Sequence, residues 1–240
     1  SIVRAALSTA VRWQLITTNP ALIARTPRAE PHQHKVPDLD TVKAIIAVAD
    51  PRMATVIRLA IATGARRGEL GALKWSDIDI ENRLITFQRS VVDGGPVSQV
   101  KPTKTRTTGV VSVGEATMAS VEAWRAHQAA ASEKAGIGLL EADGWVFPSR
   151  DWGHPITLNQ ITQDWRTLAD AHGLEGVRFH DLRHATATHL IANGTDIRTV
   201  AGRLRHASPT MTLDVYAART TAADQVAGDL IDRLLDLEQR

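Results

Sequence analysis

Residues 63–78 read TGARRGELGALKWSDI, and the fold follows from how this stretch ends one helix and starts another. Upstream, Asp50-Pro51 is an N-cap followed by proline at the first helical position. A helix is therefore expected from there to Thr63, with Gly64 as the residue that closes it. Arg66 and Arg67 then lie between two glycines, in a turn entering a short helix around Glu69 to Leu73. Such a turn can aim an arginine into a cleft while Glu69, three residues on, orients it. It also fits two plain helices with a solvated arginine pair. After Trp75-Ser76-Asp77 the pattern becomes β-like over Leu84 to Ser90. Asp93-Gly94-Gly95-Pro96 is a strong turn, and Val97–Val100 and Val110–Val113 supply two more strands joined by the polar loop 101–109. The class is mainly α with a small antiparallel β-sheet, α+β.

The flanks are helical. Val42, Ile45, Ile46 and Ala49 mark one helix, and residues 115–135 are rich in Ala and other helix formers. Thr157 with Gln160 forms a capping box for a helix through Ala171, with Ile161, Trp165 and Leu168 as its apolar stripe. Helices over 181–193 and 196–204 follow, and Ser208-Pro209 opens another that carries Tyr216. Val226, Leu230, Leu234 and Leu237 make a terminal amphipathic helix. At the other end, Val3, Leu7, Ala10, Val11 and Leu15 predict a helix over 1–18, stopped by Asn19-Pro20. Residues 25–37, RTPRAEPHQHKVP, have linker composition. The expected domains are a final helix of a separate unit over 1–24, the linker 25–37, a main domain over 38–221 and a tail helix over 222–240.

The chain has 240 residues, enough for a large core, and its 43% hydrophobic and 22% charged residues exclude a disordered chain. It has no Cys, which excludes disulfide scaffolds, thiol nucleophiles and Cys-based metal sites. No apolar run approaches the roughly 18–20 residues of a membrane helix, and no signal peptide is visible. The absence of an initiator Met is read as a fragment or processed product. Net charge is +2, but residues 224–240 carry −3 and the rest +5. Arg far outnumbers Lys. That balance permits nucleic-acid binding and equally suits a solvated surface.

Without Cys, the available nucleophiles are Ser, Thr, Lys, Asp, Glu, His and Tyr. Tyr216 is the one tyrosine. In His180-Asp181-Leu182-Arg183, spacing of three puts an imidazole and a guanidinium on one face. That pair suits phosphate chemistry, one handling a proton and the other meeting oxyanion charge. An ordinary capped helix start reads the same way. Leu204-Arg205-His206 precedes Tyr216 by ten residues, and Lys104 lies in the hairpin loop. His180, His184 and His189 have a metal-like spacing, but they are read as a ligand-free helix face.

Together, and in order along residues 36–218, these motifs resemble the tyrosine recombinase (phage integrase) family and its catalytic domain. Arg66 in Thr-Gly-x-Arg-x-x-Glu-Leu matches the first catalytic arginine, and Lys104 the hairpin lysine, with Lys101 as a rival. His180 and Arg183 match the His-x-x-Arg pair, His206 the later histidine and Tyr216 the nucleophile. Glu69 and Asp181 would support them. Arg205 stands where the family usually has Gly, and a glycine there would allow positive φ. Residues 1–24 resemble the end of the family's N-terminal core-binding domain.

The resemblance implies a site-specific recombinase or integrase that cuts and rejoins double-stranded DNA. Tyr216 would attack phosphorus and expel the 5′-hydroxyl, leaving a 3′-phosphotyrosyl link, with no metal, cofactor or ATP. Arg66 and Arg183 would stabilise the charged phosphorane, His180 would act as base, His206 would bond the phosphate and Lys104 would protonate the leaving group. It further implies a homotetramer on DNA through the C-terminal helix, although that helix can equally pack in cis. DNA-bending accessory proteins and a cytoplasmic setting, bacterial or phage-encoded, complete the expectation. Two alternatives stay open: an inactive or accessory DNA-binding domain, and a relaxase like type IB topoisomerases, against which the short body and motif spacing argue.

Overall fold

A computed structural model of the chain describes residues 2–24, 35–92, 99–102, 109–137 and 143–205. It divides into two compact units, residues 1–33 and 34–240. In the first, helix α1 (Ile2–Arg12) is shorter than the 1–18 expected from its apolar stripe. Gln14 takes a left-handed φ of 59°, and Leu15 N–H returns to Ala10 O at 2.9 Å, which closes the helix early. Asn19 stitches the next turn back onto α1. Its amide donates to Arg4 O (3.0 Å) and Ser8 Oγ (2.8 Å), and its Oδ1 accepts from Ala21 N–H (3.0 Å).

The second unit is organised around one helix. Helix α2 (Leu39–Val48) is capped by Asp38, which accepts from Thr41 N–H at 2.8 Å. Helix α3 (Pro51–Thr63) starts as expected, with Asp50 accepting from Arg52 and Met53 N–H, and ends at Gly64 with φ 61°. Met53, Val56, Ile57, Leu59 and Ala60 are buried, so α3 is apolar nearly all round. It is enclosed by α2, α4 (Arg67–Gly71), α5 (Glu115–Lys134), α6 (Leu158–Asp170) and α7 (Asp181–Ala192). Thr157 Oγ1 caps α6 through Gln160 N–H (3.2 Å). Within α6, Trp165 is buried, donates to Val177 O (2.9 Å) and meets Phe179 edge-on. The last described helix, α8 (Ile197–Leu204), packs Val200 and Leu204 against Ala187 of α7.

The strands form two antiparallel sheets rather than one. β1 (Ile78–Asp79), β2 (Leu84–Phe87) and β5 (Gly109–Ser112) make the first, with Ile85 opposite Val111. β3 (Arg89–Val92) and β4 (Gln99–Pro102) make the second, with Val91 opposite Val100. The strand expected over Leu84 to Ser90 breaks at Gln88 because its two halves serve different cores. Ile85 and Phe87 join the main core, whereas Val91 joins Ala72 and Leu158. Gln88 and Arg89 both donate to Asp77, which fixes the bend. The β3–β4 ribbon closes directly on α4. A Cβ at Gly68 would stand 2.5 Å from Val91 O, so only glycine admits this contact.

The linker residues 25–34, the turn 93–96, most of the hairpin loop and the helices expected after Ser208 and over 222–240 lie outside the described residues. Among the described residues no helix is long and apolar enough to cross a membrane.

Candidate active site

The end of α3 leaves carbonyls without helical partners, a feature of every helix C-terminus. Here side chains from α7 and α8 take them up. Thr186 Oγ1 donates to Ile61 O at 2.9 Å, Arg203 donates to Ala62 O, and Arg183 donates to Gly64 O. Cations suit the negative end of the helix dipole. Arg183 also donates to Leu204 O, so one guanidinium joins the turn before Arg66 to the end of α8. Arg183 is 4% exposed. Leu204 also crowds the turn, since a Cβ at Gly64 would lie 2.2 Å from its Cδ2.

Arg66 is the N-cap of α4, with extended φ and ψ of −72° and 150°. Glu69, at the third helical position, reaches back to it. Its Oε2 accepts from Arg66 N–H (2.9 Å) and its Oε1 from Arg66 Nη1 (2.8 Å). This is half a capping box, and it aims the guanidinium outward from a buried carboxylate. The Arg66 side chain keeps 43% of its surface exposed. Glu69 accepts a third bond from Arg205 Nη2 at 2.8 Å. Burial pushes the Glu69 carboxyl up, but the Arg205 charge and the bonds from Arg66 and Arg205 outweigh it and hold it below the usual range.

His180 is the N-cap of α7 and remains open to solvent. Its partial burial first, then the charges of Arg183, Arg66 and Arg178, lower its pKa, with Asp181 opposing. The imidazole is therefore neutral near pH 7, in the form that accepts a proton. Asp181, buried, accepts from Arg178 N–H (2.8 Å) and pairs with Arg178 Nη2 (3.1 Å), bracing the loop that presents His180. The three histidines do not converge. The His180 and His184 rings meet edge-on at 5.1 Å, while His189 Nε2 faces Pro37 O at 3.5 Å.

The structure thus brings Arg66, Glu69, His180 and Arg183 together, with Asp181 behind His180. Lys104, His206 and Tyr216 lie outside the described residues. Lys101 is described, as an exposed residue of β4 paired with Ser90. The sequence reading missed Arg205 as a partner of Glu69 and Arg203 as a partner of α3. An arginine at a glycine-favouring position was the available signal for the first.

Several known proteins share this arrangement of elements. The Tn1549 transposon integrase, solved with transposon right-end DNA, superposes with a TM-score of 0.72 at 18% identity over 95% of this chain and 76% of that one. The XerA recombinase gives 0.59 at 22% identity, over 94% and 72%. In sequence, the chain is 27% identical to a XerC-like tyrosine recombinase of Caldanaerobacter subterraneus over 71% of its length. It is 30% identical to the ICEBs1 integrase of Bacillus subtilis over 75%. The chain spans about half the length of these curated relatives, 46% and 49%. The model of the phage integrase family matches residues 36–222, and the chain belongs to that family.

Proposed function

We propose that this chain is the strand-transferring part of a site-specific DNA recombinase that works through a 3′-phosphotyrosyl intermediate. The observation that supports this most is the Arg183 bridge. It ties the Arg66 turn to the end of α8, and both guanidinium charges act on His180. Two fixed cations beside a neutral imidazole suit a phosphorane, where charge grows on the non-bridging oxygens. A tyrosine of ordinary pKa about 10 needs help to lose its proton near neutrality. The cations favour the phenolate of Tyr216, and His180 is the base. His206 bonds the scissile phosphate and Lys104 protonates the departing 5′-hydroxyl. The tyrosyl ester conserves the bond energy, so rejoining needs no ATP.

In this reading residues 38–221 are the catalytic domain and residues 1–24 the end of a DNA-clasping domain, joined by 25–37. The compact division between Gln33 and His34 falls inside that linker. Duplex DNA is the partner, a homotetramer on DNA forms through the tail helix 222–240, and accessory proteins bend the site.

One observation favours a second reading, an accessory DNA-binding domain: Arg183 is buried and bonded to two main-chain carbonyls, as an anchor would be. A suicide DNA substrate separates the two. The first reading expects a denaturant-resistant protein–DNA adduct that forms in EDTA and disappears in Tyr216→Phe. It also expects Arg183→Ala to lose far more in cleavage than in binding. No adduct, or equal losses in both assays, favours the accessory reading.

A further inference from the structure

We infer that Arg205 is a positioning residue for Arg66, acting through Glu69, and that Gly109 in β5 is the position that admits it. The inference rests on the recombinase reading for its catalytic consequence.

Arg205 has φ 55° and ψ 44°, a left-handed backbone that side chains other than Gly, Asn and Asp rarely adopt. Residues persist in such conformations when their surroundings over-determine them. Here the surroundings do so. The side chain is mostly buried, its guanidinium lies over the Phe87 ring at 4.3 Å, and it donates to Glu69 Oε2 (2.8 Å) and Arg203 O (3.0 Å). Its aliphatic stem crosses β5 at Gly109. A Cβ there would stand 2.1 Å from Arg205 Cδ and 2.7 Å from Cγ. Glycine weakens a strand, and inside one it marks a close approach by another group. Two unfavourable local choices, an arginine in left-handed backbone and a glycine in a strand, therefore serve one guanidinium. The Arg205 Nε is also buried without a partner among the described residues, so this is not the cheapest filling of the space.

Glu69 Oε1 accepts from the Arg66 guanidinium, while its Oε2 is shared by Arg66 N–H and Arg205 Nη2. Among the influences that hold it ionised against burial, the Arg205 charge is the largest. Without Arg205, a buried carboxylate would face one cation that is itself part-exposed. It would take up a proton more readily and grip Arg66 less firmly. Arg205 also links the end of α8 to β2 through the Phe87 ring and to β5 at Gly109.

The decisive variant is Arg205→Gly, because glycine accepts this backbone without strain and the fold is kept. In the whole chain, the Glu69 carboxyl is followed by carbon NMR titration and assigned by its loss in Glu69→Gln. In Arg205→Gly the Glu69 titration moves to higher pH. Arg205→Lys keeps a charge there and restores it towards the parent. Adduct formation at saturating DNA falls about 10- to 100-fold in Arg205→Gly, the scale of a misplaced catalytic group, with DNA affinity retained. Gly109→Ala displaces the Arg205 stem and reproduces both effects, yet adds nothing when combined with Arg205→Gly. An unchanged Glu69 titration in Arg205→Gly, or losses from the two variants that multiply, overturns the inference. If the unmutated chain forms no adduct, the recombinase reading falls. The Glu69 titration then still decides whether Arg205 holds the Arg66–Glu69 pair.

Discussion

Replacing Glu69 by Gln keeps the shape and removes one charge from between two arginines. The carboxylate accepts three bonds, from Arg66 N–H, Arg66 Nη1 and Arg205 Nη2. Glutamine offers one acceptor oxygen and turns an amide donor towards a guanidinium. Hydrogen bonds to charged groups contribute about 1.5–3 kcal/mol each. The Arg66 side chain is 43% exposed, so its share is discounted for solvent screening, while the Arg205 side chain is 11% exposed and counts nearly in full. The net loss is about 2 kcal/mol. For a unit of roughly 200 residues, unfolding entropy near 2.1 cal/mol/K per residue converts this to a fall in Tm of about 5 °C. The loss should also depend on pH. The folded Glu69 pKa lies below its reference value of 4.5. Its stabilisation is therefore complete above about pH 4.5 and disappears as pH falls through the folded value. Thermal melts of parent and variant should differ by about 5 °C at pH 7 and converge in acid. Equal Tm values at pH 7, or a gap that persists unchanged at low pH, would refute the buried-carboxylate argument.

Gly64→Ala should lose about 3 kcal/mol, from the left-handed backbone and the collision with Leu204, read as a lower midpoint in urea; an unshifted midpoint contradicts the packing of α8 on the turn. Asp50→Ala should cost about 1 kcal/mol by removing the α3 cap, measured in the same way. The acid limb of adduct formation should fall below the ordinary histidine value of 6.5, because His180 is held neutral, and a limb at higher pH argues against His180 as base. DNA affinity should fall steeply with salt, since phosphate contacts release counterions, and a flat salt response would exclude an arginine-rich phosphate surface.

Local chemistry was legible in the sequence and long-range pairing was not. The Asp50-Pro51 start and Gly64 stop of α3 are decided within a turn of chain, and the Arg66–Glu69 contact follows from a spacing of three. Nothing in composition or periodicity puts Arg183 on the Gly64 carbonyl, 119 residues away. The convergence of those two regions was expected only through the family resemblance. The break at Gln88 escaped because two cores compete for one strand, and β propensity is blind to which core a residue faces. The early end of α1 escaped because it depends on a left-handed Gln14, a residue with no strong preference for that backbone. Arg205 was visible as a departure from glycine, but its fit against Gly109 is a tertiary fact.

In the recombinase reading, Arg66, Arg183 and Tyr216 act on one phosphorus atom. A crystal structure of the chain on nicked duplex DNA with vanadate at the scissile position tests it directly. The expected result has the Tyr216 oxygen as an apical vanadate ligand and both guanidinium groups hydrogen-bonded to equatorial oxygens. Arg66 and Arg183 on different phosphates, or a side chain other than Tyr216 at the apex, would contradict it.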